Sequence, residues 1–135
     1  MYDHILIPVI FDDGHDTAKS FEVAKTLGSK AAKYTILHVL ENIPNYVNVE
    51  IPASTLAEAR KYALDSLNDI AKAIPSAKAE LIDGYSGRSI VNYADDNHVD
   101  CIVMASHQLG LSDIFLGSTA AKVVRHAKCS VHVIR

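Results

Sequence analysis

Five short runs rich in aliphatic and β-branched residues alternate with four stretches of helical period, and no other feature constrains this chain so tightly. The runs are HILIPV (4–9), YTILHVL (34–40), AKAELID (77–83), CIVMAS (101–106) and SVHVIR (130–135). The first, second and fourth are nearly continuous in Ile, Leu and Val, as strands covered on both faces of a parallel sheet are. Between them, Asp16 or Thr17 can cap a helix carrying Ala18, Phe21, Ala24, Leu27 and Ala31 at mostly three- and four-residue spacing. Ser54, after Pro52, can cap a longer one with Leu56, Ala59, Ala63, Leu67, Ile70 and Ala71 on its apolar side. Ser86 can open a third with Ile90, Val91 and Ala94, and Ser118 a fourth with Ala121, Val124 and Ala127. The order β-α-β-α-β-α-β-α-β predicts an α/β fold: a single doubly wound, five-stranded parallel sheet with helices on both faces and right-handed crossovers. One connection is anomalous. Residues 41–54, ENIPNYVNVEIPAS, are long, carry two prolines and show no period, the habit of a functional or mobile loop.

At 135 residues, one domain over 1–135 is expected, large enough to bury a core. A net charge of -3 with no basic stripe argues against nucleic acid and against a membrane surface. No apolar run approaches the ~20 residues of a membrane span, and the N-terminus lacks the pattern of a signal peptide. Cys101 and Cys129 each border an apolar run. They read as buried reduced thiols, which suits a cytoplasmic location.

Ligands of open parallel sheets bind at the carboxyl ends of the strands. Those tips hold Val9 to Asp13, Val39 to Glu41, Asp83-Gly84, and the stretch MASHQLGLSDIFLGST leading into the last helix. Gly117-Ser118-Thr119 at that helix start admits two explanations. Ser118 can simply cap the helix. Alternatively, unpaired first-turn N–H groups, a glycine that lets an anion approach, and two hydroxyl donors can hold a phosphate.

The segment ASHQLGLSDIFLGSTAAKVVRHAKCSVHVIR resembles the end of the universal stress protein family, in which Gly-Ser or Gly-Thr opens the last helix. HILIPV and ILHVLE are similar to that family's first two strands, and residues 86–100 to its third helix. The resemblance implies strand order 3-2-1-4-5, an adenine nucleotide alpha hydrolase-like fold, and ATP or AMP in a cleft at the strand tips, with Mg²⁺ an optional companion. The family pattern Gly-x2-Gly-x9-Gly-Ser/Thr falls on Ala105, Gln108, Gly117 and Ser118, with Thr119 next and eight residues between Gln108 and Gly117. This shortened loop is similar to the family's short F/G-type branch. Where the family reads Pro-x-Asp, this chain reads Pro8-Val9-Ile10, and Asp12 is a candidate substitute. The expected nucleotide site is therefore Pro8, Val9, Ile10, Asp12, Val39, Met104, Ala105, Ser106, His107, Gln108, Gly117, Ser118 and Thr119. Ser106, His107 and Gln108 can donate hydrogen bonds to an anion, and Val39 marks the backbone that reads adenine. The resemblance further implies a homodimer through the last strand, with Val131 and Val133, or His132 and Ile134, facing the partner.

Other constellations carry less. Asp12, Asp13 and Asp83 evoke the Mg²⁺-binding tips of a receiver domain, but no Lys ends the fifth strand and no helix follows it. The seven histidines form no metal spacing; His38 and His132 lie inside strands, and His126 near a helix C-terminus. No Walker A, GxGxxG, CxxC, HExxH or Gly-x-Ser-x-Gly motif is present, so no dedicated catalyst is expected and slow ATP turnover is the most the pattern allows. Ile10 and Gln108 favour one alternative: a nucleotide-free dimeric module of the same fold whose loops 41–53 and 106–116 contact a protein.

Overall fold

The computed structural model describes residues 1–10, 17–41, 51–106 and 116–135. Its elements run β1 (Tyr2–Pro8), α1 (Thr17–Leu27), β2 (Gly28–Glu41), α2 (Ala53–Ala71), β3 (Lys78–Gly84), α3 (Ser86–Asp96), β4 (Cys101–Ala105), α4 (Ser118–His126) and β5 (Ser130–Ile134). All strand pairs are parallel, and the sheet order is β3-β2-β1-β4-β5. The doubly wound sheet and its order are those expected.

Side chains alternate across a strand, and this splits the core into two layers. Ile5, Ile7, Val9, Ile36 and Val103 face Phe21 and Ala24 of α1 and Leu67 of α2. Leu6, Leu37, Val39, Ile102 and Met104 face Ile90 and Ala94 of α3 and Ala120 and Val123 of α4. Helices thus cover both faces. Asp100 closes the lower end: its carboxylate accepts the backbone N–H groups of Asp3 at 2.8 Å and His4 at 2.9 Å.

Three local expectations need correction. The first helix does not reach Ala31; it stops at Leu27, and β2 begins at once with Gly28. A side chain at Gly28 would collide with the Tyr34 hydroxyl, and the β1–β2 register shifts between Tyr2 and His4. The serines expected as caps do not cap. Pro52, Tyr85 and Gly117 occupy those positions without a side-chain cap bond, while Ser86 and Ser118 are the first helical residues and Ser54 the second. One or two steps into the helix, a serine hydroxyl is past the place from which it bonds the N2 or N3 N–H. The buried face of α4 is accordingly Ala120 and Val123, and Val124 is 49% exposed. In α2, Leu56 is likewise 49% exposed, and burial begins at Ala63.

Both cysteines are free thiols. Burial pushes the Cys101 thiol from its ordinary 9.0 up to about 11, helped by Cys129 and Asp100. The folded thiol therefore holds its proton more tightly than the unfolded one. Its contribution to stability is intact below pH 9.0 and is lost as pH rises toward about 11. Burial raises Cys129 and Tyr93 in the same direction. Urea midpoints are expected to fall across that window, and Cys101→Ala to flatten the fall. An unchanging wild-type midpoint would contradict this account.

Candidate functional site

At the carboxyl ends of the strands, β1 stops at Pro8, paired with Leu37, whereas β2 continues to Glu41 alongside β3. The unequal lengths leave a notch. An open cleft with about 120 Å³ of internal volume lies there. Its strand side is Pro8, Val9, Ile10, Leu37, Val39, Met104 and Ala105. Its helix side is Ser86 and Ile90 of α3 and Gly117, Ser118, Thr119 and Ala120 of α4.

The β1 tip is held at both backbone groups. Val9 N–H donates to the Leu37 carbonyl at 2.8 Å, and His38 Nδ1 donates to the Val9 carbonyl at 2.9 Å. Partly buried His38 thus serves the site from behind. Ile10 stands at the rim with 43% of its surface exposed. On the opposite side, Gly117 N–H reaches the Ser106 hydroxyl at 3.4 Å, and Ser106 N–H donates to the Ile134 carbonyl at 2.7 Å. These bonds tie the start of α4 to the ends of β4 and β5.

The first turn of α4 supplies the polar character. Ala121 N–H donates to the Gly117 carbonyl at 2.8 Å. The N–H groups of Ser118, Thr119 and Ala120 precede that bond and have no acceptor within the helix. They carry the partial positive charge of the helix end beside the apolar strand tips of the cleft. Phosphate or carboxylate is the ligand chemistry such a turn accepts. Among the described residues, no group of three or more His, Cys, Asp or Glu could hold a metal ion, and no helix is long and apolar enough to cross a membrane.

Of the residues singled out in sequence, Pro8, Val9, Ile10, Val39, Met104, Ala105, Gly117, Ser118 and Thr119 line this one cleft, and Ser106 braces it. Asp12, His107 and Gln108 lie outside the described residues. Asp83 does not reach the cleft as a free acid: Arg60 Nη1 binds both its oxygens, at 2.8 and 2.9 Å. Sequence reasoning missed Leu37, Ile90 and Ala120 as lining residues, and it missed Ser86 as a cleft hydroxyl. The signal for Ser86 was its place just past Gly84 at a strand tip. Gly84 has φ +145, and a side chain there would collide with the Ser89 hydroxyl, so the chain turns sharply and delivers Ser86 to the cleft.

Fold and cleft together define a doubly wound α/β protein with an open cleft at the carboxyl ends of the strands, under a helix N-terminus. The chain belongs to the universal stress protein family, whose model matches residues 1–135. It is 29% identical over 130 residues to a universal stress protein of Thermus aquaticus from the QAH/OAS sulfhydrylase 3′ region, covering 91% of this chain and 93% of that one. The fold is similar to that of the hypothetical protein MJ0577, with TM-score 0.80 and 25% identity, covering 99% of this chain and 96% of that one. It is also similar to a universal stress protein solved in complex with cAMP, with TM-score 0.67 and 25% identity, covering 99% and 97%.

Proposed function

We propose that this chain binds an adenine nucleotide, AMP or ATP, in the cleft between the strand tips and α4, as a regulatory ligand and not as the substrate of a dedicated enzyme. The observation that carries the reading is the open first turn of α4, Gly117 to Ala120, set against the apolar tips of β1, β2 and β4. Phosphate would meet the N–H groups and hydroxyls of Ser118 and Thr119, and the base would lie toward Val39. The cAMP held by one similar family member supports the ligand class. Ala105, Ser106, His107, Gln108 and Asp12 complete the proposed site, and Mg²⁺ would accompany a triphosphate.

The proposed working form is a cytoplasmic homodimer of single-domain subunits. Among the described residues, β5 pairs with β4 alone. It has no proline, Val131, Val133 and Ile134 are partly buried, and His132 is exposed. An apolar edge of this kind invites a second copy.

A second reading, a nucleotide-free interaction module, has Ile10 in its favour, an aliphatic side chain exposed at the rim of the cleft. A thermal shift separates the two. Millimolar AMP or ATP at 100 times its Kd should add about 2.7 kcal/mol of stability. No shift with either nucleotide would favour the interaction module. Light scattering on the same sample should give a dimer mass, and a monomer at micromolar concentration would refute the β5 interface.

A further inference from the structure

We infer that His38 is a positioning residue for the cleft: its ring takes the Val9 carbonyl, ends the β1–β2 ladder one bond early, and leaves the Val39 N–H open to a ligand. This rests on the nucleotide reading above and adds to it a residue that shapes the base end without touching the ligand.

The bond at Val9 is the starting point. A carbonyl oxygen can only accept, so the His38 Nδ1 that lies 2.9 Å from the Val9 carbonyl carries a proton and donates it. Val9 N–H in turn donates to the Leu37 carbonyl at 2.8 Å. Both backbone groups of Val9 are thus spoken for by β2, one by its backbone and one by a side chain.

Strand geometry says what the ring displaces. Within a strand, the N–H and C=O of one residue point to the same neighbour, and those of the residue two further on do likewise. The Leu37 carbonyl points at β1, so the Val39 N–H does too. In a continuing parallel ladder its acceptor would be the Val9 carbonyl. Among the described residues that bond is not made, and the His38 ring stands in its place. β1 accordingly ends at Pro8, opposite Leu37, while Val39 lines the cleft. A backbone N–H left over in this way is a strong donor in need of an acceptor.

His38 works from the far side of the sheet. Leu37 and Val39 belong to the layer under α3 and α4, whereas Ile36 belongs to the layer under α1 and α2. His38 lies two residues beyond Ile36 and shares its face. The sheet therefore stands between the ring and the cleft, and His38 acts only through Val9. Without the ring's donor, the Val39 N–H is free to take the Val9 carbonyl. The ladder then gains a bond and the notch narrows at its base end.

The test pairs amide hydrogen exchange with AMP titration calorimetry on the full chain. In the free wild type, Val39 should exchange as an open amide while Leu37, inside the paired stretch, is protected, and AMP should then protect Val39. His38→Leu keeps the bulk and drops the donor. Val39 should become protected without ligand, and AMP should bind ~3–10-fold more weakly, the worth of one hydrogen bond. His38→Asn puts an amide N–H where Nδ1 was and should restore both the open amide and the affinity. A merely space-filling role for the ring would leave His38→Asn as weak as His38→Leu, and that result overturns the inference. So does a Val39 amide already protected in the free wild type, a comparison that stands even where His38→Leu fails to fold. If wild type binds AMP and His38→Leu binds it equally well, the inference falls while the nucleotide reading stands. If wild type binds no AMP, both fall.

Discussion

Replacing Ser118 with aspartate is expected to abolish the nucleotide-dependent rise in melting temperature and to leave the ligand-free fold as stable as before, or slightly more so. Ser118 is the first residue of α4, exposed, on the cleft wall. A carboxylate there meets the positive end of the helix, an interaction worth about 0.3–1 kcal/mol in favour of the fold. The same charge stands where the phosphate would dock. It would occupy the first-turn N–H groups and repel an incoming anion. A ligand at 100 times its Kd contributes about 2.7 kcal/mol, and the variant should forfeit nearly all of it. Scanning fluorimetry with and without millimolar AMP reads both quantities at once. The opposite signs are diagnostic, because a substitution that merely damaged the fold would lower both. A nucleotide shift that survives in Ser118→Asp would place the phosphate elsewhere.

Leu67→Ala should be the most damaging single truncation in α2, at about 2–5 kcal/mol. Residues 53–62 of this helix are exposed, so its first half contributes little to its own attachment. The helix is fastened by Ala63 and by Leu67, which is completely buried, with Ile74 following just beyond its end. Shortening Leu67 would open a cavity against Phe21 and Ile36 in the layer that also holds α1. Leu64, 42% exposed on the same helix, is the internal control; its truncation should fall within about 0.5 kcal/mol of wild type. Urea titration followed by circular dichroism measures both. A loss below about 1 kcal/mol for Leu67→Ala would mean that the site collapses or that other contacts hold the helix.

The strands were legible because their burial is two-sided. Ile5, Leu6 and Ile7 of β1 all have zero exposure, and a run with no polar face has few places to go except the middle of a parallel sheet. Strand order was not legible from periodicity; it followed from likeness to a known family. Helix starts were read one or two residues out because Ser54, Ser86 and Ser118 look like caps in sequence. Only backbone geometry shows that Pro52, Tyr85 and Gly117 hold those positions. The same offset turned the expected face of α4 away from the core. The α4 end of the cleft was visible as a glycine before a helix. The place of Ser86 was not, because its hydroxyl donates to Glu41, 45 residues away in sequence, and the two meet only when β2 and β3 align.

The sheet order also has a bearing on how the chain is made. β1 emerges first yet lies in the centre, and its second neighbour, β4, starts at Cys101, sixty residues after β2 ends at Glu41. At ribosomal speeds of ~5–20 residues per second, about 3–12 s separate those two events. Throughout that interval β1 can pair with β2 on one side while its other edge stays bare. Until β4 arrives, that bare edge is open to pairing with another chain.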